Sequence, residues 1–150
     1  MFTALVWIAV AILVFVRQFQ PHPLTSRFLV IGPAILAFFG LQGLTHLDSV
    51  EAAAFFALNT AVAVIFGIWR GYTFRVWAQN GEPWLQGTFA TLTLWVAAVA
   101  VRVVLMGVGH AAGLTSAGTV AQLALLLGIT FAAQNAVIWI RTTYRPTALA

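Results

Sequence analysis

Arg102 is the residue in this chain most able to do chemistry. It interrupts the apolar run TLTLWVAAVAVRVVLMGVGH and lies eight residues before His110. At about 1.5 Å per helical residue, its Cα lies roughly 12 Å inside that end of the run. A charged side chain at such a depth in lipid costs about 2.5–3.5 kcal/mol on insertion scales, so it snorkels, pins one helix to another, or binds something. Read as part of a helix running outward, Arg102 is expected to carry its head into the outer half of the membrane. Glu51 is then the preferred partner and Asp48 the second choice, since either would convert a lone buried charge into a charge-assisted hydrogen bond. Gln42 and Asn59 add neutral polar groups at related depths. These residues form a candidate ligand-binding set.

His46 and His110 fall at the same outer surface. With Asp48 or Glu51 they could offer imidazole and carboxylate ligands to a borderline metal, carry protons, or touch a quinone carbonyl. No H-x-x-x-H or H-E-x-x-H spacing accompanies them, so no metal site is assigned and a pair of interfacial histidines is the simpler reading. No cofactor is indicated. Thr91, Thr93, Gln134 and Asn135 also lie within apolar runs, where such groups more often join helices than bind substrates.

A second cluster is Gly67-Ile-Trp-Arg-Gly-Tyr-Thr-Phe-Arg-Val-Trp. Arg70 and Arg75, interleaved with Trp69, Tyr72 and Trp77, are expected at headgroup level. There they would contact lipid phosphate or a partner loop, or simply anchor the topology. A short interfacial helix is expected in the connector that follows Trp69, among Tyr72, Phe74, Val76 and Trp77. Asn80-Gly81 and Glu82-Pro83 after it are turn signals. Gly67 and Gly71 have the G-x-x-x-G spacing that permits close helix approach.

The elements that position these residues follow from composition. Of 150 residues, 62% are hydrophobic and 7% charged, against about 25% charged in a soluble domain. Five stretches approach or reach the roughly 20 residues that cross a hydrocarbon core: Phe2–Phe19, Phe28–Thr45, Val50–Trp69, Thr88–Gly109 and Thr119–Ile140. The first has no basic side chain before it and reads as a retained helix rather than a signal peptide. Gln20-Pro21-His22-Pro23 ends it, and Pro33 is placed near the start of the second, where its cost is small. The connector 46–49 is short enough to force a hairpin, with Asp48 or Ser49 as N-cap and Glu51 in the first turn.

Arg17, Arg27, Arg70, Arg75, Arg141 and Arg145 flank alternate connectors, and the other connectors have none. That asymmetry is a positive-inside signal. The expectation is an all-α, polytopic bundle of five transmembrane helices forming a single domain over residues 1–150, with its N-terminus outside and its C-terminus cytoplasmic. Its expected home is the bacterial cytoplasmic (inner) membrane. Arginines dispersed over connectors fit anionic lipid, not nucleic acid. The absence of cysteine excludes disulfides, thiolate metal sites and Cys nucleophiles.

The pattern GIWRGYTFRVWAQNG, followed by GTFATLTLWVAAVAVRVVL, resembles CcdC-like small bacterial membrane proteins, a family of uncharacterised function. Gly67, Arg70, Gly71, Thr73, Arg75, the turn at Gly81, Trp95 and Arg102 carry the resemblance over about 40 residues. It implies a membrane protein and no catalytic residue. Three functions compete. The first is a non-enzymatic accessory that binds a lipidic ligand or membrane partner. The second is a membrane enzyme or redox component acting on a quinone or prenyl lipid through Arg102, Glu51, His46 and His110. The third is a small oligomeric carrier or channel. Expected partners are membrane lipids, anionic ones included, and a membrane protein or a second copy of the chain.

Overall fold

The computed structural model describes residues 16, 19–41, 44, 49–114 and 120–144. Four helices and three short strands lie among them. In chain order these are β1 (His22–Pro23), α1 (Ser26–Gly40), α2 (Val50–Thr73), β2 (Arg75–Gln79), β3 (Glu82–Gln86), α3 (Phe89–Ala111) and α4 (Val120–Tyr144). The fold is mainly helical, and α2, α3 and α4 are long and apolar enough to cross a membrane. Their 24, 23 and 25 residues span about 34–38 Å at 1.5 Å per residue, beyond the roughly 30 Å of hydrocarbon.

The expected count of five spans is not reproduced. Nearly all of the first stretch, residues 2–19, lies outside the described residues. The second is a helix of 15 residues, about 22 Å long, and residues 42–43 and 45 of the expected stretch lie outside the described ones. Large apolar side chains face outward on every helix, among them Val30 and Phe38 on α1, Ile65 on α2, Val103 on α3 and Trp139 on α4. Such a continuous apolar exterior suits contact with lipid.

The packing centre is α4. Both α1 and α2 lie along it, and it buries Gln122, Leu125, Leu126, Thr130, Gln134, Val137 and Ile138. Gly67 faces Thr130 and Ala133 of α4, and Gly71 faces Gln134 and Val137. Since the paired numbers rise together, α2 and α4 run parallel. A Cβ on Gly67 would collide with the Thr130 carbonyl oxygen, and one on Gly71 would lie 2.6 Å from Val137 Cβ. The G-x-x-x-G spacing is therefore used within the chain, as a seam only glycine can close.

Pro33 lies in the interior of α1, beyond the first turn where it was expected. A proline there removes the amide that would bond the carbonyl four residues back, which is that of Leu29. Asn135 of α4 donates its Nδ2 to this carbonyl at 2.8 Å. The side chain replaces the missing helical bond and ties α1 to α4. Asn135→Leu is expected to destabilise the protein by about 1–3 kcal/mol, the cost of an unsatisfied buried acceptor. In a Pro33→Ala background, where the helix can close its own bond, the same substitution should cost markedly less. Equal costs in both backgrounds, measured by thermal unfolding in detergent, would refute the linkage.

One end of the bundle is capped by an antiparallel sheet of order β1-β3-β2. The interfacial helix expected around Tyr72–Gln79 is therefore corrected: α2 continues to Thr73 and the chain then turns into β2. Asn80 and Gly81 both have positive φ, 55° and 80°, as a two-residue primed hairpin turn requires. Trp77 and Trp84 pair across the strands with ring centroids 6.5 Å apart. Phe74 and Leu85 pack on Ile138 of α4, with Leu24 and Val76 at the edge.

Candidate functional site

The facing sides of α2, α3 and α4 carry most of the buried polar groups, and their depth order follows from the helix directions. At the sheet end, Thr88 caps α3 and exchanges hydrogen bonds with Thr91: the Thr88 amide donates to Thr91 Oγ1 at 3.0 Å, and the Thr91 amide donates to Thr88 Oγ1 at 3.4 Å. Thr88 Oγ1 donates to the Thr73 carbonyl at 2.8 Å, and the hydroxyls of Thr73 and Thr91 lie 3.0 Å apart. This network sets Thr73 of α2 level with Thr91 of α3 and fixes the antiparallel register. Arg141 of α4 closes the same end, its Nη1 donating to the carbonyls of Gly71 (2.7 Å), Tyr72 (3.2 Å) and Phe74 (3.1 Å). A cation there satisfies carbonyls at the C-terminal end of α2 and suits its dipole.

Deeper in, Arg70 is buried to 1% exposure. Its Cζ lies 4.0 Å from the Trp95 ring centroid and 5.3 Å from that of Phe131, and those two rings meet edge to face at 5.9 Å. The expected headgroup position of Arg70 is thus corrected. Helical side chains lean toward their own N-terminus. Arg70 sits near the C-terminal end of α2, so it leans into the bundle and stacks on aromatic faces. Arg75, by contrast, is exposed on β2, as are Trp69 and Tyr72 at the end of α2, while Trp77 is partly buried against Trp84.

Arg102 obeys the same rule in the opposite direction. On α3 its N-terminal lean carries the guanidinium toward the sheet end, not outward. Its Nη2 donates to Thr130 Oγ1 at 3.2 Å, and that hydroxyl donates in turn to the Leu126 carbonyl at 2.8 Å. Nη1 of Arg102 is buried and has no hydrogen-bond partner. The expected pairing with Glu51 is not formed. Given the Thr73–Thr91 register, Glu51 lies about 16 Å farther along the axis than Arg102, exposed in the first turn of α2.

No protein-family model, curated protein or solved structure matches this chain. What the site can do must therefore be read from its own geometry.

Two cavities flank Arg102. One, about 30 Å³, lies toward the sheet end and is lined by Arg70, Trp95 and Thr130 as well as Arg102. The other, about 20 Å³, lies toward the far end and is lined by Phe55, Phe56, Asn59, Met106 and Gln122 together with Arg102. Each has room for about one or two water-sized groups. Asn59 shares this second cavity, although its Nδ2 also donates to the Phe55 carbonyl at 2.9 Å. His110 is exposed in the last turn of α3. Gln42, His46 and Asp48 lie outside the described residues, and among the described ones no three His, Cys, Asp or Glu side chains stand together as metal ligands. Sequence reasoning missed the places of Arg70 and Arg141. The lean of helical side chains could have indicated the first, whereas nothing local in the sequence indicates the second.

Proposed function

We propose that this chain is a non-enzymatic membrane accessory protein that binds a lipidic ligand or membrane partner in the seam between α2, α3 and α4. The observation that carries the reading is the Arg102 Nη1 group, buried and without an acceptor, at the junction of two small cavities with largely apolar walls. A buried charged donor left unsatisfied is costly, and a polar ligand head entering the seam would relieve it. The quinone-handling cluster needs Arg102 beside Glu51, and their separation in depth weighs against it. The carrier reading needs a continuous path, and two cavities of this size offer little support.

In this proposal the protein lies in a bacterial cytoplasmic membrane with the sheet end on the cytoplasmic side, and the N-terminal apolar stretch and α1 complete five spans. Arg27, Arg70, Arg75 and Arg141 all belong to the sheet end, which favours that orientation. Kinship with CcdC-like proteins belongs to the same proposal. Gly67, Arg70, Gly71, Trp95 and Arg102 carry the resemblance, and they are also residues that build the seam.

Arg102→Leu should preserve insertion and raise stability slightly or leave it unchanged, because an uncompensated charge is removed. The lipidic species retained through purification should fall about tenfold, as for loss of a charge-assisted contact. Native mass spectrometry of the detergent-purified chain reads both ligand mass and stoichiometry. Undiminished ligand content in the variant would show that the seam is not the site.

A further inference from the structure

We infer that Arg102 holds a halide ion, chloride foremost, in the smaller of the two cavities that flank it. The inference goes beyond the lipidic reading and does not rest on it. Arg102 places a cation in the middle of an apolar helix, and a guanidinium keeps its proton under any ordinary condition. Its Nη2 is engaged by Thr130 Oγ1, a neutral acceptor whose residue lines the larger cavity. Its Nη1 is buried and has no acceptor. Neither cavity is lined by Asp or Glu, and Glu51 stands about 16 Å away along the axis. Among the described residues, Arg102 therefore has a hydrogen-bond acceptor but no counter-charge.

Asn59 brings a second donor to the smaller cavity. One of its two Nδ2 hydrogens goes to the Phe55 carbonyl at 2.9 Å, and the other is left for an occupant. Phe55, Phe56 and Met106 add apolar wall, beside which a lone charge is poorly screened by water. The volume, about 20 Å³, suits a single water-sized occupant. A water molecule would accept from Nη1 but leave the charge uncompensated. A carboxylate or phosphate would bring charge but exceed the space. A halide ion is little larger than water, carries the opposite charge, and accepts from several donors without a fixed direction. Size and charge together select it.

The test uses the delipidated full chain in a nonionic detergent, in sodium chloride, bromide or gluconate at equal ionic strength. Gluconate is far too large for the cavity. Thermal unfolding should move upward in chloride and bromide relative to gluconate, and the gain should follow a one-site binding curve. At ten times the dissociation constant, the folding equilibrium should shift about tenfold. Chloride NMR reads binding directly: the wild-type protein should broaden the chloride line, and bromide should restore it. Arg102→Gln should behave alike in all three salts and leave the line sharp. Asn59→Leu, which removes one donor and fills the space, should weaken binding about fivefold or more, and it replaces Arg102→Gln if that variant fails to fold. Equal midpoints in the three salts with an unbroadened line would overturn the inference. Broadening that persists undiminished in the variant would place the ion elsewhere and overturn it equally.

Discussion

Replacing Gly67 by leucine should detach α2 from α4 and leave the chain largely unassembled in detergent. The added side chain would meet the backbone carbonyl of Thr130 and the Ala133 methyl. A flexible neighbour can swing aside, but a backbone carbonyl moves only with its helix. The loss should therefore exceed the roughly 1–3 kcal/mol usual for overpacked cores. Because α2 and α4 frame the seam together, ligand retention should be lost with stability. Gly107→Leu on α3 is the matched control, since nothing beyond its own helical turn lies within 4 Å of a Cβ there, and it should leave stability unchanged or raise it by up to about 1 kcal/mol, as for loss of a helix-interior glycine. Thermal unfolding of the two variants side by side checks the contrast. A Gly67→Leu protein with a wild-type transition would mean that α2 and α4 do not meet closely.

Arg141→Leu is expected to release the sheet from the bundle. One guanidinium nitrogen serves three carbonyls, at Gly71, Tyr72 and Phe74, where α2 ends and β2 begins. Its loss should cost about 2–4 kcal/mol, combining charged hydrogen bonds with the favourable dipole interaction. Arg141→Lys keeps the charge without the fork and should recover part of this. Local release has its own signature. Arg75 is exposed on β2, and strand pairing should restrain the backbone there from entering a protease. Tryptic cleavage after Arg75 should accelerate in Arg141→Leu by about tenfold or more, as expected for a local opening made easier by 1.4 kcal/mol or above. An unchanged cleavage rate would remove Arg141 as the clamp.

The long helices were legible because lipid leaves the backbone little alternative. Val50–Trp69, Thr88–Gly109 and Thr119–Ile140 were expected, and helices occupy Val50–Thr73, Phe89–Ala111 and Val120–Tyr144. Ser49 caps α2 by accepting from the Ala52 amide at 3.1 Å, one of the two caps its residue types allowed. The hairpin was missed although Asn80-Gly81 announced it. Its flanking strands carry too few alternating residues to outweigh the helical pattern running into them.

The site was legible only in part. Arg102 was marked by the cost of its charge, but its partner was chosen by assuming an outward reach. The N-terminal lean of helical side chains points Arg102 toward Thr130 and away from Glu51. The Asn135 contact illustrates a different limit. Pro33 shows that a carbonyl needs a donor, yet only the tertiary crossing of α1 and α4 decides which residue provides it.

The central place of α4 has a consequence for biogenesis. The ribosome makes this helix after α1 and α2, the helices that pack along it. Until it arrives, the Leu29 carbonyl lacks the Asn135 amide, Gly67 and Gly71 have no surface to close upon, and Arg102 has no Thr130. Assembly of α1 and α2 thus waits on the 25 residues of α4, and nascent chains halted before Val120 should be preferred prey for membrane quality-control proteases.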